Sequence, residues 1–171
     1  HVTKDIAVGL RASQEEAERV KIEFGCSMAS MVAEGDTFEI NSLGADEPRE
    51  LPKQILANIV EPRMEEILEK VRTELVKAGL LGMLPGGAIV TGGGSLLPGT
   101  VELAEKILGM PARLGLPRDM GGLCDTVQSP IYTTAIGLIM YAAKQHTVLR
   151  EAEKTAKLRG GLRGLLRRLT H

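Results

Sequence analysis

The chain has 171 residues and a formal net charge of −1, a size that suits one compact domain with a continuous core and a charge that gives nucleic acid no overall attraction. Hydrophobic residues make up 43% of it, yet aromatics reach only 2% and Trp is absent, so the core must be aliphatic and the stacking platforms that single strands need are missing. Nucleic-acid binding is therefore not expected.

In chain order, His1–Leu10 reads as a strand. Ser13 with Glu16 three residues on makes a capping box, Ala17, Val20 and Phe24 form an apolar stripe, and Gly25 supplies a stop, so Ser13–Phe24 reads as a helix. Glu18 and Lys21 share a face away from that stripe. The carboxylate there can accept from ribose hydroxyls and the ammonium can donate to sugar or base; a solvated face with one salt bridge is the plain alternative. Met28–Ala33 and Thr37–Ile40, joined by Glu34-Gly35-Asp36, read as a hairpin, with a third strand near Arg49. Pro52 opens a helix at its favoured first position, and Pro62 either breaks it or begins a second one. Met64, Ile67, Leu68, Val71 and Leu75 give that second stretch an apolar stripe, which Gly79 ends.

From Gly86 the pattern is α/β. Ala88–Thr91 reads as a strand that runs into Gly92, Gly93 and Gly94, and Pro98–Leu108 as a helix ended by Gly109. Three glycines remove every Cβ at the turn, so the backbone can take φ > 0 and a flat ligand, a nucleotide base or ribose, can lie directly on it. Neither G-x-G-x-x-G nor G-x-x-x-x-G-K-[ST] is present, and a tight strand-to-helix turn is the competing reading. Ala112–Leu114 reads as a further strand, and Ser129-Pro130 caps a helix to about Lys144. Ile131–Ala143 carries no charge but falls short of the roughly 20 residues that cross a bilayer. It is expected to be a buried helix whose Ala135, Gly137, Ala142 and Ala143 allow close packing on the sheet.

The end of the chain differs. From Arg150 it holds seven Lys and Arg against Glu151 and Glu153, a net +5, with Leu158, Leu162, Leu165, Leu166 and Leu169 at helical spacing. Such a segment either lies in an anionic membrane surface or packs as a helix on its own domain or a partner; Gly160, Gly161 and Gly164 weaken it by about 1 kcal/mol each. Cys26 and Cys124 stand far apart without C-x-x-C, and His1, His146 and His171 are scattered, so no metal site or disulfide framework is expected. A signal peptide is not visible at the start of the sequence.

Ala17-Glu18-x-x-Lys21-x-x-x-Gly25 followed by Ile89-Val90-Thr91-Gly92-Gly93-Gly94-Ser95 resembles the adenosine side of the nucleotide cleft of the actin, Hsp70 and MreB superfamily. His1–Leu10, Glu61-Pro62-Arg63-Met64-Glu65-Glu66-Ile67, Leu96-Leu97-Pro98-Gly99 and Tyr132–Leu138 narrow the resemblance to the FtsA family of bacterial cell-division proteins, from His1 to about Lys144. The tail matches in kind, with a shorter linker than the family usually has.

The resemblance implies an α/β fold: an actin-like, ribonuclease H-like lobe with an inserted α+β subdomain and a C-terminal amphipathic helix. Residues 1–11 and 85–146 would form the core subdomain, 12–84 the inserted one, and 147–171 a short linker and membrane-targeting helix. It implies ATP as cofactor, touched by Glu18, Lys21, Gly92, Gly93, Gly94 and Ser95, with Mg²⁺ held mainly by a first lobe that has no counterpart here. No catalytic residue is expected in this lobe, and at most weak ATPase activity in the whole protein. The implied partners are the acidic tail of the tubulin-like FtsZ, received by Arg63, Met64, Ile67 and Lys70, further copies in a filament, and anionic inner-membrane lipid, met by Leu162, Arg163, Leu165, Leu166, Arg167, Arg168 and Leu169. The implied location is the cytoplasmic face of the inner membrane at the division septum. The alternative is another ATPase of the superfamily whose purpose is nucleotide turnover; the basic amphipathic end favours the tether.

Overall fold

The structure is a computed structural model and describes residues 1–44, 47–118 and 127–145. The expected membrane-facing residues and Cys124 lie outside these. The chain divides into two compact units, His1–Leu116 and Pro117–His171.

In the first unit, Val2–Leu10 is a helix, α1, and not the expected strand. Ile6 and Leu10 are buried four residues apart, with Val2 packed against the same cluster, so the apolar period is that of a helix. Arg11 in the left-handed region (φ 53°) ends it, and the Ala12 N–H returns to the Ala7 carbonyl at 3.0 Å. Helix α2, Gln14–Phe24, is as expected: Ser13 caps it by accepting from the Glu16 N–H, and Ala17 and Val20 are buried.

The expected hairpin is displaced by one segment. Ala29–Met31 forms a single 3₁₀ turn, while β1 (Thr37–Ile40) pairs antiparallel with β2 (Arg49–Pro52). The polar backbone of Ala29 is already taken. Its N–H donates to Glu61 at 2.8 Å and its carbonyl accepts from Gln54 at 3.2 Å, which leaves no ladder to form there. Lys53–Lys77 is one continuous 25-residue helix, α3, with Pro62 inside it. Pro62 neither breaks nor restarts the helix: it sits on the exposed face, while Leu56, Val60, Met64 and Leu68 bury an unbroken i, i+4 stripe past it. Gly79, at φ +69°, follows the end.

Strand β3 (Ala88–Val90), a 3₁₀ turn (Gly93–Leu96), helix α4 (Thr100–Leu108) and strand β4 (Ala112–Leu114) make a β-α-β unit with β3 and β4 parallel. The chain passes so close at Gly87 (φ +68°) that a Cβ would stand 2.2 Å from the Pro111 carbonyl oxygen. One core joins these pieces, with Ile6, Val20, Ile40, Leu56, Leu103 and Met110 in a single aliphatic cluster.

In the second unit, Ser129 accepts from the Ile131 N–H and Pro130–Tyr132 forms a 3₁₀ turn. Residues 133–145 are helical and are labelled α5. The expectation of a buried helix fails for most of its described side chains. Ile136 is buried, but Leu138, Ile139 and Tyr141 are each more than 60% exposed.

Candidate functional site

Helix α2 carries two polar faces. On one, the Lys21 ammonium lies 2.6 Å from a Glu18 carboxylate oxygen, and both meet a residue that sequence reasoning missed. The Thr3 hydroxyl of α1 donates to Glu18 and accepts from Lys21 at 3.0 Å. Hydrogen bonds from Lys21 and then Thr3 hold the Glu18 carboxyl below its ordinary value. Thr3 was legible only once His1–Leu10 was known to be a helix, because a strand would not place it there.

On the other face, Arg19 binds Glu16 through two nitrogens, at 2.9 and 2.7 Å, and Glu23 at 2.7 Å, and donates to the Glu39 carbonyl of β1 at 3.0 Å. Glu16 also accepts from the Asn41 N–H at 2.9 Å. The Arg19 bond, with those of Asn41 behind it, lowers the Glu16 pKa to about 2. The i, i+3 and i, i+4 spacing of Glu16, Arg19 and Glu23 was the available signal. Two open grooves flank this network, of about 540 Å³ beside Ser13, Glu16, Asn41 and Leu43 and about 450 Å³ beside Phe24, Phe38 and Pro48. Neither is lined by the glycine turn.

The glycine turn begins at Gly92, whose φ of 90° and ψ of 173° suit glycine alone. The Ser95 hydroxyl is buried and donates back to the Gly92 carbonyl at 2.7 Å. Ser95 therefore braces the turn and does not present its hydroxyl outward. Gly93 and Gly94 are exposed, and a Cβ built at Gly92 or Gly94 would meet nothing within 4 Å. The bare backbone at these two positions faces open space.

The segment after α2 is fastened to this turn. A Cβ on Gly25 would stand 2.8 Å from Leu97, the Ser27 N–H donates to the Pro98 carbonyl at 2.8 Å, and the Ser27 and Thr100 hydroxyls lie 2.7 Å apart, both buried. Thr100 in turn reaches the Gly94 carbonyl at 3.3 Å. The Cys26 thiol is buried and faces the Met28 and Pro98 carbonyls. The two segments singled out from sequence are thus brought together through Gly25–Ser27. Chemically the assembly offers an acceptor, an ammonium and an uncovered backbone, the set that recognises a sugar and a flat base.

The four residues expected to receive a partner separate. Arg63, Ile67 and Lys70 follow one helix face at i, i+4, i+7. Ile67 is 39% exposed and Lys70 is exposed beside Glu66 at 2.6 Å. Met64 is buried in the core cluster and is removed from that face. Arg63 is already engaged: it binds Glu66 and grips Asp5 of α1 through Nε and Nη2, the latter at 3.1 Å. Among the described residues, no helix is long and apolar enough to cross a membrane.

The model of the family described as "Cell division protein FtsA" matches residues 1–137. The chain is 44% identical over 146 residues to a cell division protein FtsA of Pseudomonas aeruginosa, covering 85% of this chain and 35% of that protein. It is 39% identical over 170 residues to one of Neisseria meningitidis and 32% identical over 175 to one of Escherichia coli K12, covering 98% of this chain and 41% of each relative. The chain thus spans about two-fifths or less of the length of these curated relatives. Among solved structures it is similar to MreB5 of Spiroplasma citri bound to ADP, with a TM-score of 0.64 at 17% identity, over 88% of this chain and 45% of that one. The fold is accordingly mixed α/β with actin-like neighbours.

Proposed function

The chain belongs to the FtsA family of cell division proteins, and from that premise we propose that it is the part of such a protein that holds the adenosine of ATP and receives the division partner. The observation that carries the nucleotide reading is the uncovered Gly92–Gly94 backbone fastened through Ser27 and Thr100 to the end of the helix bearing Glu18 and Lys21. An actin-like neighbour solved with ADP supports it. On this reading Glu18 accepts from the ribose, Lys21 donates to sugar or base, and Gly92, Gly93 and Gly94 carry the flat face, with Ser95 as a brace. Mg²⁺ and the phosphates would be held mainly by groups outside this chain, so this chain supplies binding and not hydrolysis.

The rest of the reading follows family membership. Residues 12–84 are taken as an inserted subdomain, with 1–11 and 85–146 as the core subdomain and 147–171 as a basic amphipathic tail. The exposed Ile67 and Lys70, with Arg63, receive the acidic FtsZ tail. The basic tail binds anionic lipid at the cytoplasmic face of the inner membrane at the septum, and polymerisation gathers many such tails. The test is ATP affinity, with the chain in its full-length context, of Lys21→Ala and Gly94→Val. Lys21→Ala removes a charge-assisted donor, and Gly94→Val fills space that is otherwise open. Both should weaken ATP several-fold while leaving the fold intact by circular dichroism; unchanged affinity in both reduces the motif to a turn and a salt bridge.

A further inference from the structure

Helix α1 touches both proposed sites within its first turn. Thr3 donates to Glu18 and accepts from Lys21. Two residues on, Asp5 accepts from Nε and Nη2 of Arg63, the α3 residue of the partner face. The buried apolar anchors of α1, Ile6 and Leu10, lie at its centre and its end, so in the first turn these polar contacts stand beside only the partly buried Val2. A helical turn is stiff over two residues, so a displacement at Asp5 is a displacement at Thr3.

We infer that α1 couples the two sites: Arg63 holds Asp5, this keeps Thr3 on the Glu18–Lys21 pair, and an acidic partner that takes Arg63 from Asp5 loosens that pair. The inference rests on the proposed nucleotide and tail sites. A carboxylate of the partner competes directly with Asp5, since both want the same guanidinium fork. Glu66 on the third nitrogen keeps Arg63 oriented meanwhile. Thr3 is then a positioning residue. Binding free energies are reciprocal, so partner and nucleotide each weaken the other by the same factor.

Asp5→Asn tests this, because it weakens the clasp while releasing Arg63. With the chain in its full-length context, ADP should bind about fivefold more weakly and an acidic FtsZ-tail peptide more tightly, and the mutual weakening of the two ligands should vanish. Opposite signs are the diagnostic, since a merely damaged fold lowers both. Arg63→Lys, which keeps the charge and loses the fork, should also weaken ADP. A ligand-free measurement stands beside these: NMR titration of the Glu18 carboxyl, which faces Lys21 and Thr3. In Asp5→Asn it should rise as Thr3 withdraws, whereas losing the negative charge of Asp5 by itself would lower it. A Glu18 carboxyl that does not rise, or both ligands weakening together, overturns the coupling. Failure of the unaltered protein to bind either probe sinks the proposed sites, and the Glu18 titration then decides the coupling alone.

Discussion

The hydroxyl of Ser27 lies 2.7 Å from that of Thr100, both side chains buried, and this pair ties the end of α2 to the glycine turn 73 residues away. Thr100 also reaches the Leu97 carbonyl at 2.8 Å. It has one proton, so when that proton goes to Leu97, Ser27 is the donor of the pair. Thr100→Val keeps the shape and removes the oxygen, leaving a buried Ser27 hydroxyl without its partner. Urea unfolding should show a loss of about 1–3 kcal/mol. Adding Ser27→Ala should recover part of it; strict additivity would mean that the two hydroxyls do not act together.

Two glycines of the site differ in what they tolerate. Gly25 has an ordinary φ of −63°, but a Cβ would stand 2.3 Å from the Lys21 carbonyl oxygen and 2.8 Å from Leu97. Gly25→Ala should destabilise by about 1–3 kcal/mol through crowding. Gly94 has no such neighbours, so Gly94→Ala should leave the thermal midpoint nearly unchanged. Equal losses at the two positions would contradict the geometry.

The difference between these glycines was not legible in the sequence, which signals permissive backbone but not what stands nearby. The helix α2, its Ser13 cap and the β-α-β unit after Gly86 were legible because local chemistry and tertiary packing agree there. At His1–Leu10, few residues separate strand from helix, and packing of Ile6 and Leu10 decides. The same holds for Pro62, where a long buried stripe outweighs one missing hydrogen bond. Of the site, the residue types of Glu18, Lys21 and the glycines were readable. Thr3 and the engagement of Arg63 by Asp5 depend on contacts between helices, which no local pattern encodes.

Acid should weaken the fold through Glu16. Its carboxyl titrates near 2 in the folded chain against an ordinary 4.5, so the folded value is depressed. The stabilisation is therefore fully present above about pH 4.5 and is lost as pH falls toward 2. The shift sets an upper bound of about 3 kcal/mol, reduced by the water that reaches Arg19. Glu16→Gln should flatten the pH dependence of stability across this window, read from urea midpoints. A variant as steep as the parent would place the acid sensitivity elsewhere.

The tail prediction rests on sequence, since residues 147–171 lie outside those described. Burying Leu162, Leu165, Leu166 and Leu169 in a headgroup layer gains roughly 1.5 kcal/mol each. Ordering the segment opposes this by about 1 kcal/mol or more per residue, and Gly160, Gly161 and Gly164 raise that opposition. Apolar burial alone does not cover this ordering cost, so charge must tip the balance. Arg163, Arg167 and Arg168 near an anionic surface add about 1 kcal/mol each. Co-sedimentation with vesicles should hence require anionic lipid, weaken as salt rises, and disappear in Leu165→Glu with Leu166→Glu. Strong, salt-insensitive binding to neutral vesicles would contradict the account, and no binding to anionic vesicles would assign the segment to a protein partner. A single helix of this strength is marginal, so an assembly that gathers many tails should bind far more tightly than one chain; vesicle binding that stays flat as protein concentration rises through assembly would separate membrane residence from polymerisation.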